Sequence, residues 1–206
     1  MDFTIALNKH VLEFDEETHS YICDGLVIPS ITEMMKLKFG NKYDGVSYGT
    51  LARAAERGNK IHSDVEAWCQ AGLDSGTEEL RNFKFLMKQY GMTVKNNELP
   101  VILNVDDKPF AAGRIDLILE KDGLMGLGDI KSTSVLDRDY LAYQLNLYRL
   151  AFQQSYHTEI HFLAGVHLRE DKRKLAAIAI DENKAYEIIN EWRNKDEYDA
   201  ALRENF

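Results

Sequence analysis

Between Thr93 and Lys131 the chain reverses direction twice, and that stretch limits what the rest can fold into. Leu99, Val101, Leu103 and Val105 alternate with their neighbours as in a strand with two different faces. Asp106-Asp107-Lys108-Pro109 supplies a turn. GRIDLILE then predicts a strand with Ile115, Leu117 and Leu119 on one face and Arg114, Asp116 and Ile118 on the other. Lys121-Asp122-Gly123 turns the chain again, and LMGLGDIK returns with Leu127, Asp129 and Lys131 on one face. Three strands joined by short turns commit the chain to a sheet.

Upstream, Val11 to Phe14 and His19 to Cys23 predict a hairpin around Asp15-Glu16-Glu17-Thr18, with a further turn at Asp24-Gly25. Ser30 and Glu33 form a capping box for a helix from about Ile31 to Lys38. A longer helix starts at Ser47 or Thr50 and runs to about Gln70, with Leu51, Ala54, Ala55, Ile61, Val65 and Trp68 as its apolar stripe. A second capping box, Ser75 to Glu78, opens a helix through about Tyr90. Downstream, Asp137 opens a largely buried helix, followed by strands at 159–167 and 174–180 and a helix from about Glu182. After the opening hairpin and its short helix the order is two helices, three strands, helix, two strands, helix. A central mixed β-sheet with helices on both faces, an α/β fold, is the natural way to bury it.

A chain of 206 residues, 45% hydrophobic and 29% charged, is expected to form one domain. Residues 1–45 form its N-terminal β-hairpin and helical extension, and 46–206 its core. No apolar run reaches membrane-spanning length and MDFTIALNKH lacks signal-peptide features, so no membrane partner and an intracellular, cytoplasmic location are expected. Cys23 and Cys69 are too few for a disulfide framework, a four-cysteine zinc site or an iron–sulfur cluster. A net charge of −9 argues against broad adhesion to nucleic acid. Locally, however, Lys36, Lys38, Lys42, Arg53, Arg57 and Lys60 outnumber Asp44 and Glu56, which suits either a solvated helix face or a phosphate-tracking surface.

Asp116 and Asp129 on adjacent strands, with Lys131 two residues on, bring two carboxylates and an ammonium toward one spot. Hydrolysis of a phosphodiester with a hard divalent cation needs this set, since carboxylates hold the ion and an ammonium orients water. By the residues alone a surface salt bridge between Lys131 and an aspartate fits equally well. His62 and Glu66 share one helix face, Gln144 and Tyr148 another, and Glu98 lies near a strand start as a further ligand or a solvated end.

In this order the motifs resemble those of the PD-(D/E)xK nuclease superfamily, in the branch of RecB-type nuclease domains, phage-encoded exonucleases and mitochondrial genome maintenance exonucleases. Pro29-Ser30-Ile31-Thr32 looks like the P-S-[IV]-T opening and Gly58 with His62 like G-x-x-x-H. Gly113 to Asp116 looks like G-x-x-D, Asp129 to Lys131 like [DE]-x-K, and Gln144 with Tyr148 like Q-x-x-x-Y. Asp129 stands where many relatives have glutamate.

The resemblance implies a restriction-endonuclease-like core and a DNA exonuclease using Mg2+ or Mn2+. Its metal ligands would be His62, Asp116, Asp129 and the Ile130 carbonyl, with both aspartates facing His62. Lys131 would assist the attacking water, Gln144 and Tyr148 would orient Lys131 or hold phosphate, Gly58 would clear space, and Glu66 would be an outer or second-metal carboxylate. Implied partners are single- or double-stranded DNA with free ends, and a recombinase, a single-strand-binding protein or further copies of the chain. The setting is bacterial or phage recombination, repair or replication. An endonuclease of the same superfamily, a catalytically idle nucleic-acid-binding module and a small-phosphoester hydrolase are the competing expectations.

Overall fold

The computed structural model describes residues 2–40 and 45–204, with the side chains of the last helix described through 195. Lys42 and Asp44 of the basic stretch lie outside the described residues. The fold is mixed α/β with two sheets.

The N-terminal sheet is a four-stranded meander, not the expected hairpin alone: β1 (Phe3–Leu7), β2 (His10–Asp15), β3 (Ser20–Cys23) and β4 (Leu26–Ile28) pair antiparallel in sequence order. The flanking strands have little local signature: β1 alternates, with Phe3, Ile5 and Leu7 inward, but over five residues only, and β4 is three residues long and mostly exposed. The single helix expected over 31–38 is two turns, α1 (Ile31–Met34) and α2 (Lys36–Phe39), joined at Met35. Ser30 caps α1, its hydroxyl accepting from the Glu33 amide at 3.0 Å.

The central sheet contains β5 (Thr93–Val105), β6 (Lys108–Lys121), β7 (Leu124–Lys131), β8 (Phe162–Arg169) and β9 (Lys172–Ile178), in that order. Only β7 and β8 run parallel, as the helix between them requires. Both turns of the β5–β6–β7 meander place two successive residues at positive φ: Asp106 with Asp107, and Asp122 with Gly123. That geometry matches the twist of the strands they join.

One face of the sheet carries Val101, Leu103, Ile118, Leu127 and Leu163 against α1, α5 (Arg138–Tyr156) and α6 (Glu182–Glu204). The other carries Leu117, Leu119, Ile130 and Val166 against α3 (Tyr48–Ala71) and α4 (Glu78–Tyr90). Ile115 joins Ile118 in the first layer, so Ile115, Leu117 and Leu119 do not share a face as expected. The face order switches at Asp116. In α3 only Ile61 and Val65 are fully buried, while Ala54 and Ala55 are exposed, so the stripe is core only in the helix's second half. At the start of α4 the cap is Thr77, whose hydroxyl donates to Asp64 on α3 instead of capping its own helix.

Strand β5 is an edge, and successive side chains at the end of α5 cover it. Tyr156 Oη donates to the Pro100 carbonyl, and Ser155 Oγ both donates to the Ile102 carbonyl and accepts from its amide. Gln154 does the same for Asn104. An exposed edge would otherwise be open to pairing with another chain. Ser155→Ala should leave the buried Ile102 groups unpaired and cost about 1–3 kcal/mol in a denaturant titration. A loss within experimental error would show that water replaces the hydroxyl.

Candidate active site

Strands β6 and β7 pair from Lys121↔Leu124 down to Leu117↔Gly128. Past that point the Asp116 carboxylate takes the place of the ladder, its Oδ2 accepting from the Ile130 amide at 2.7 Å. Asp116 therefore points along the sheet toward β7. Glu98 lies across from it on β5, between the pairs Asn97↔Leu117 and Leu99↔Ile115. Its φ of 49° is left-handed, a conformation that costs a non-glycine residue about 1–3 kcal/mol and re-aims the side chain.

His62, on the second half of α3, completes the group. Its Nδ1 lies 3.6 Å from Glu98 Oε1 and 3.7 Å from Asp116 Oδ2, near both but beyond good hydrogen-bond length. Its Nε2 lies 3.3 Å from the Ile130 carbonyl oxygen. One ligand atom from each of His62, Glu98 and Asp116 falls within 4.8 Å of the others, a spacing suited to a shared cation. Glu98 is held from its other side by the Arg114 guanidinium, 3.5 Å away.

Asp129 is not part of that triad. It is buried at 3% exposure, and its nearest partner is the Lys131 ammonium, 2.7 Å from Oδ2. The expectation of both aspartates as ligands facing His62 is met in contact by Asp116 alone; Asp129 acts on His62 through its field. Glu66 also stands apart, its carboxylate accepting from Gln70. Gln144 and Tyr148 are buried one turn apart on α5, and among the described residues neither hydrogen-bonds Lys131. Tyr148 packs instead on Gly113, where an added Cβ would come within 2.8 Å of the ring. Gly58 is less constrained, since a Cβ there would meet only Ser132 Oγ at 3.5 Å, an ordinary contact.

Burial and charge set the protonation of the group. Burial disfavours the His62 imidazolium, but Asp116, Glu98 and Asp129 outweigh it and raise its pKa to about 9. Burial also pushes the Asp129 carboxyl up, with Lys131 opposing and Asp116 adding to it. For Lys131 burial opposes the charge, yet Asp129 and Asp116 hold the ammonium in place. Burial, with Tyr21 and Asp116, raises the Tyr148 phenol far above its usual value.

Sequence reasoning gave no role to His167. Paired across from Lys131 on β8, it sits with Nε2 2.7 Å from the Thr133 carbonyl, while Arg169 and Lys172 donate to the carbonyls of Ser132 and Ser134. Three side chains of β8 and β9 thus hold the loop that leaves Lys131. The signal available was the density of cations at Arg169 to Arg173, but nothing in the sequence ties them to that loop.

No family model and no curated protein matches the chain. Among solved structures, the crystal structure of SSO0001 is similar to it at 16% identity and a TM-score of 0.49, over 81% of this chain and 74% of that one. The site is therefore read from its own residues.

With metals removed by chelator, the His62 ring should titrate near pH 9 by NMR rather than near its ordinary 6.5. The folded pKa is raised, so the stability this gives is complete below pH ~6.5 and is lost as pH rises through about 9. Replacing Asp116 by Asn and Glu98 by Gln together should lower the midpoint well below 9, since burial then opposes the imidazolium with Asp129 as the remaining carboxylate that favours it. A midpoint unmoved by that pair would remove the carboxylates as its cause.

Proposed function

We propose that the chain is a metal-dependent nuclease with a restriction-endonuclease-like core, acting as a DNA exonuclease. The observation that carries the reading is the meeting of His62, Glu98 and Asp116 within 4.8 Å, beside the Asp129–Lys131 pair. The donor set fits a divalent ion: carboxylate and carbonyl oxygens suit Mg2+ and Mn2+, and one imidazole is compatible with either. His62, Glu98 and Asp116 would hold it, with the Ile130 carbonyl beside His62. A bound ion would polarise a phosphoryl oxygen and lower the pKa of its water.

The chain's own groups account for the remaining chemistry. Lys131, kept as an ammonium by Asp129 and Asp116, is a hydrogen-bond donor and not a base. It orients the attacking water and offsets charge gathering on the phosphate. The new P–O bond forms in line as the bond to the 3′ oxygen breaks, leaving a 5′-phosphate and a 3′-hydroxyl. His62 must release its proton to become a ligand, so metal affinity rises with pH.

Linear and covalently closed DNA incubated with Mg2+ or Mn2+, against chelator controls, test the reading. Loss of the linear form alone is expected. Cutting of closed circles would make the chain an endonuclease, and binding without cleavage an idle module. Lys131→Ala should lower cleavage on the order of 10²-fold or more while DNA binding persists. Glu98→Gln should raise the metal concentration needed for half-maximal activity, whereas Glu66→Gln should leave it unchanged. The reverse order would exchange the ligand assigned to β5 for the one on α3.

A further inference from the structure

Lys131 faces a second feature that the hydrolytic chemistry does not use. Between α1, α2 and the start of α5 lies a cavity of about 410 Å3, lined among others by Thr32, Met35, Lys36, Phe39, Lys131 and Tyr140. Its size falls within the range of about 300–1,000 Å3 that small organic ligands occupy. Phe39 and Tyr140 meet edge to face, with centroids 5.2 Å apart and planes at 71°, so their rings form an apolar corner. Met35 in its lining is buried, and Lys36 and Lys131 supply two cations, the Lys131 ammonium lying 5.8 Å from the Tyr140 ring centroid. Among the described residues the one acid in the lining is Asp137, which caps α5 by accepting from the Tyr140 amide.

A ligand for this cavity needs a flat apolar part joined to an anion. We infer that the cavity seats the terminal nucleobase of the substrate strand, stacked in the Phe39–Tyr140 corner, with the attached phosphate on Lys36 and Lys131. The inference rests on the nuclease reading for its substrate, but its geometry is independent of the triad. Thr32 and Lys36 also line a neighbouring polar cavity of about 580 Å3 that includes Arg114 and Tyr148. A strand whose last base fills the first cavity thus continues over Thr32 and Lys36 into the second, whose lining adds Arg114 and the carboxylates Glu16 and Glu33.

The test compares two ligands that differ only in the base. Thymidine 5′-monophosphate and 2-deoxyribose 5-phosphate are titrated calorimetrically into the full chain with Mg2+. Stacking of a base on aromatic side chains contributes roughly 1–3 kcal/mol, so the nucleotide should bind about 5- to 150-fold more tightly. Phe39→Leu with Tyr140→Leu keeps apolar volume but removes the ring faces, and should abolish the difference. Tyr140→Phe keeps the face and should preserve it, which separates loss of stacking from loss of folding. Equal affinities in the unaltered chain, or a difference that survives the double substitution, would overturn the seat. DNA cleavage with no discrimination between the two ligands overturns the seat and leaves the nuclease standing. Discrimination without cleavage overturns the nuclease reading and leaves the seat.

Discussion

The bond from the Ile130 amide to Asp116 Oδ2 is the joint on which the site depends. A sheet offers backbone groups to its neighbours and side chains to its two faces; Asp116 instead spends its side chain within the plane of the sheet, where β6 and β7 part. Three consequences follow from that one contact. The ladder ends at Leu117↔Gly128, Ile115 and Leu117 fall into opposite layers, and the Ile130 carbonyl is left near His62 at 3.3 Å. A carboxylate that accepts a backbone amide is also fixed in direction. Asp116 can therefore meet groups from α3 and β5 without a loop to place it.

Charges are divided there between two compartments. On the α3 side His62 stands against Glu98 and Asp116; on the α5 side Lys131 stands against Asp129. Each compartment places one cation among carboxylates, which is why burial does not discharge either cation. An uncompensated charge in such a place would be driven to its neutral form. The pairs are thus mutually required. On the proposed reading, a divalent cation held by His62, Glu98 and Asp116 would take over the role of the His62 proton, while Lys131 kept its own partner.

The sequence made the sheet legible because its strands alternate and its turns carry Asp-Asp and Asp-Gly, which accept positive φ at little cost. The helices were legible through their caps at Ser30, Ser47 and Asp137. Of the site, Asp116, His62 and Lys131 were readable as residues with a rigid address. Glu98 was readable only as a strand-start candidate, ligand or solvated end, since period-two reasoning cannot foresee the left-handed residue inside a strand that aims it at His62. Asp129, expected to face His62 as a ligand, lies against Lys131 for a related reason: alternation tells which face a side chain takes but not which partner it meets there. The loop held by His167, Arg169 and Lys172 depends on the parallel β7–β8 register, a long-range pairing with no local signature.

The costs carried by the site explain how the rest of the fold is arranged around it. A left-handed glutamate, a buried carboxylate–ammonium pair and an interrupted ladder all oppose stability locally. They are tolerated because the elements that carry them are fixed elsewhere. Strand β5 is anchored beyond Glu98 by Ser155, Gln154 and Tyr156 of α5, and Leu117 and Leu119 of β6 are packed under α3 and α4. Helix α3 is tied to α4 by Thr77 and Asp64, two residues past His62. Relaxing any one site residue would require moving an element whose far end is locked in a core layer. The strained geometry therefore persists as a property of the whole sheet and its two helical layers, not of the few residues that display it.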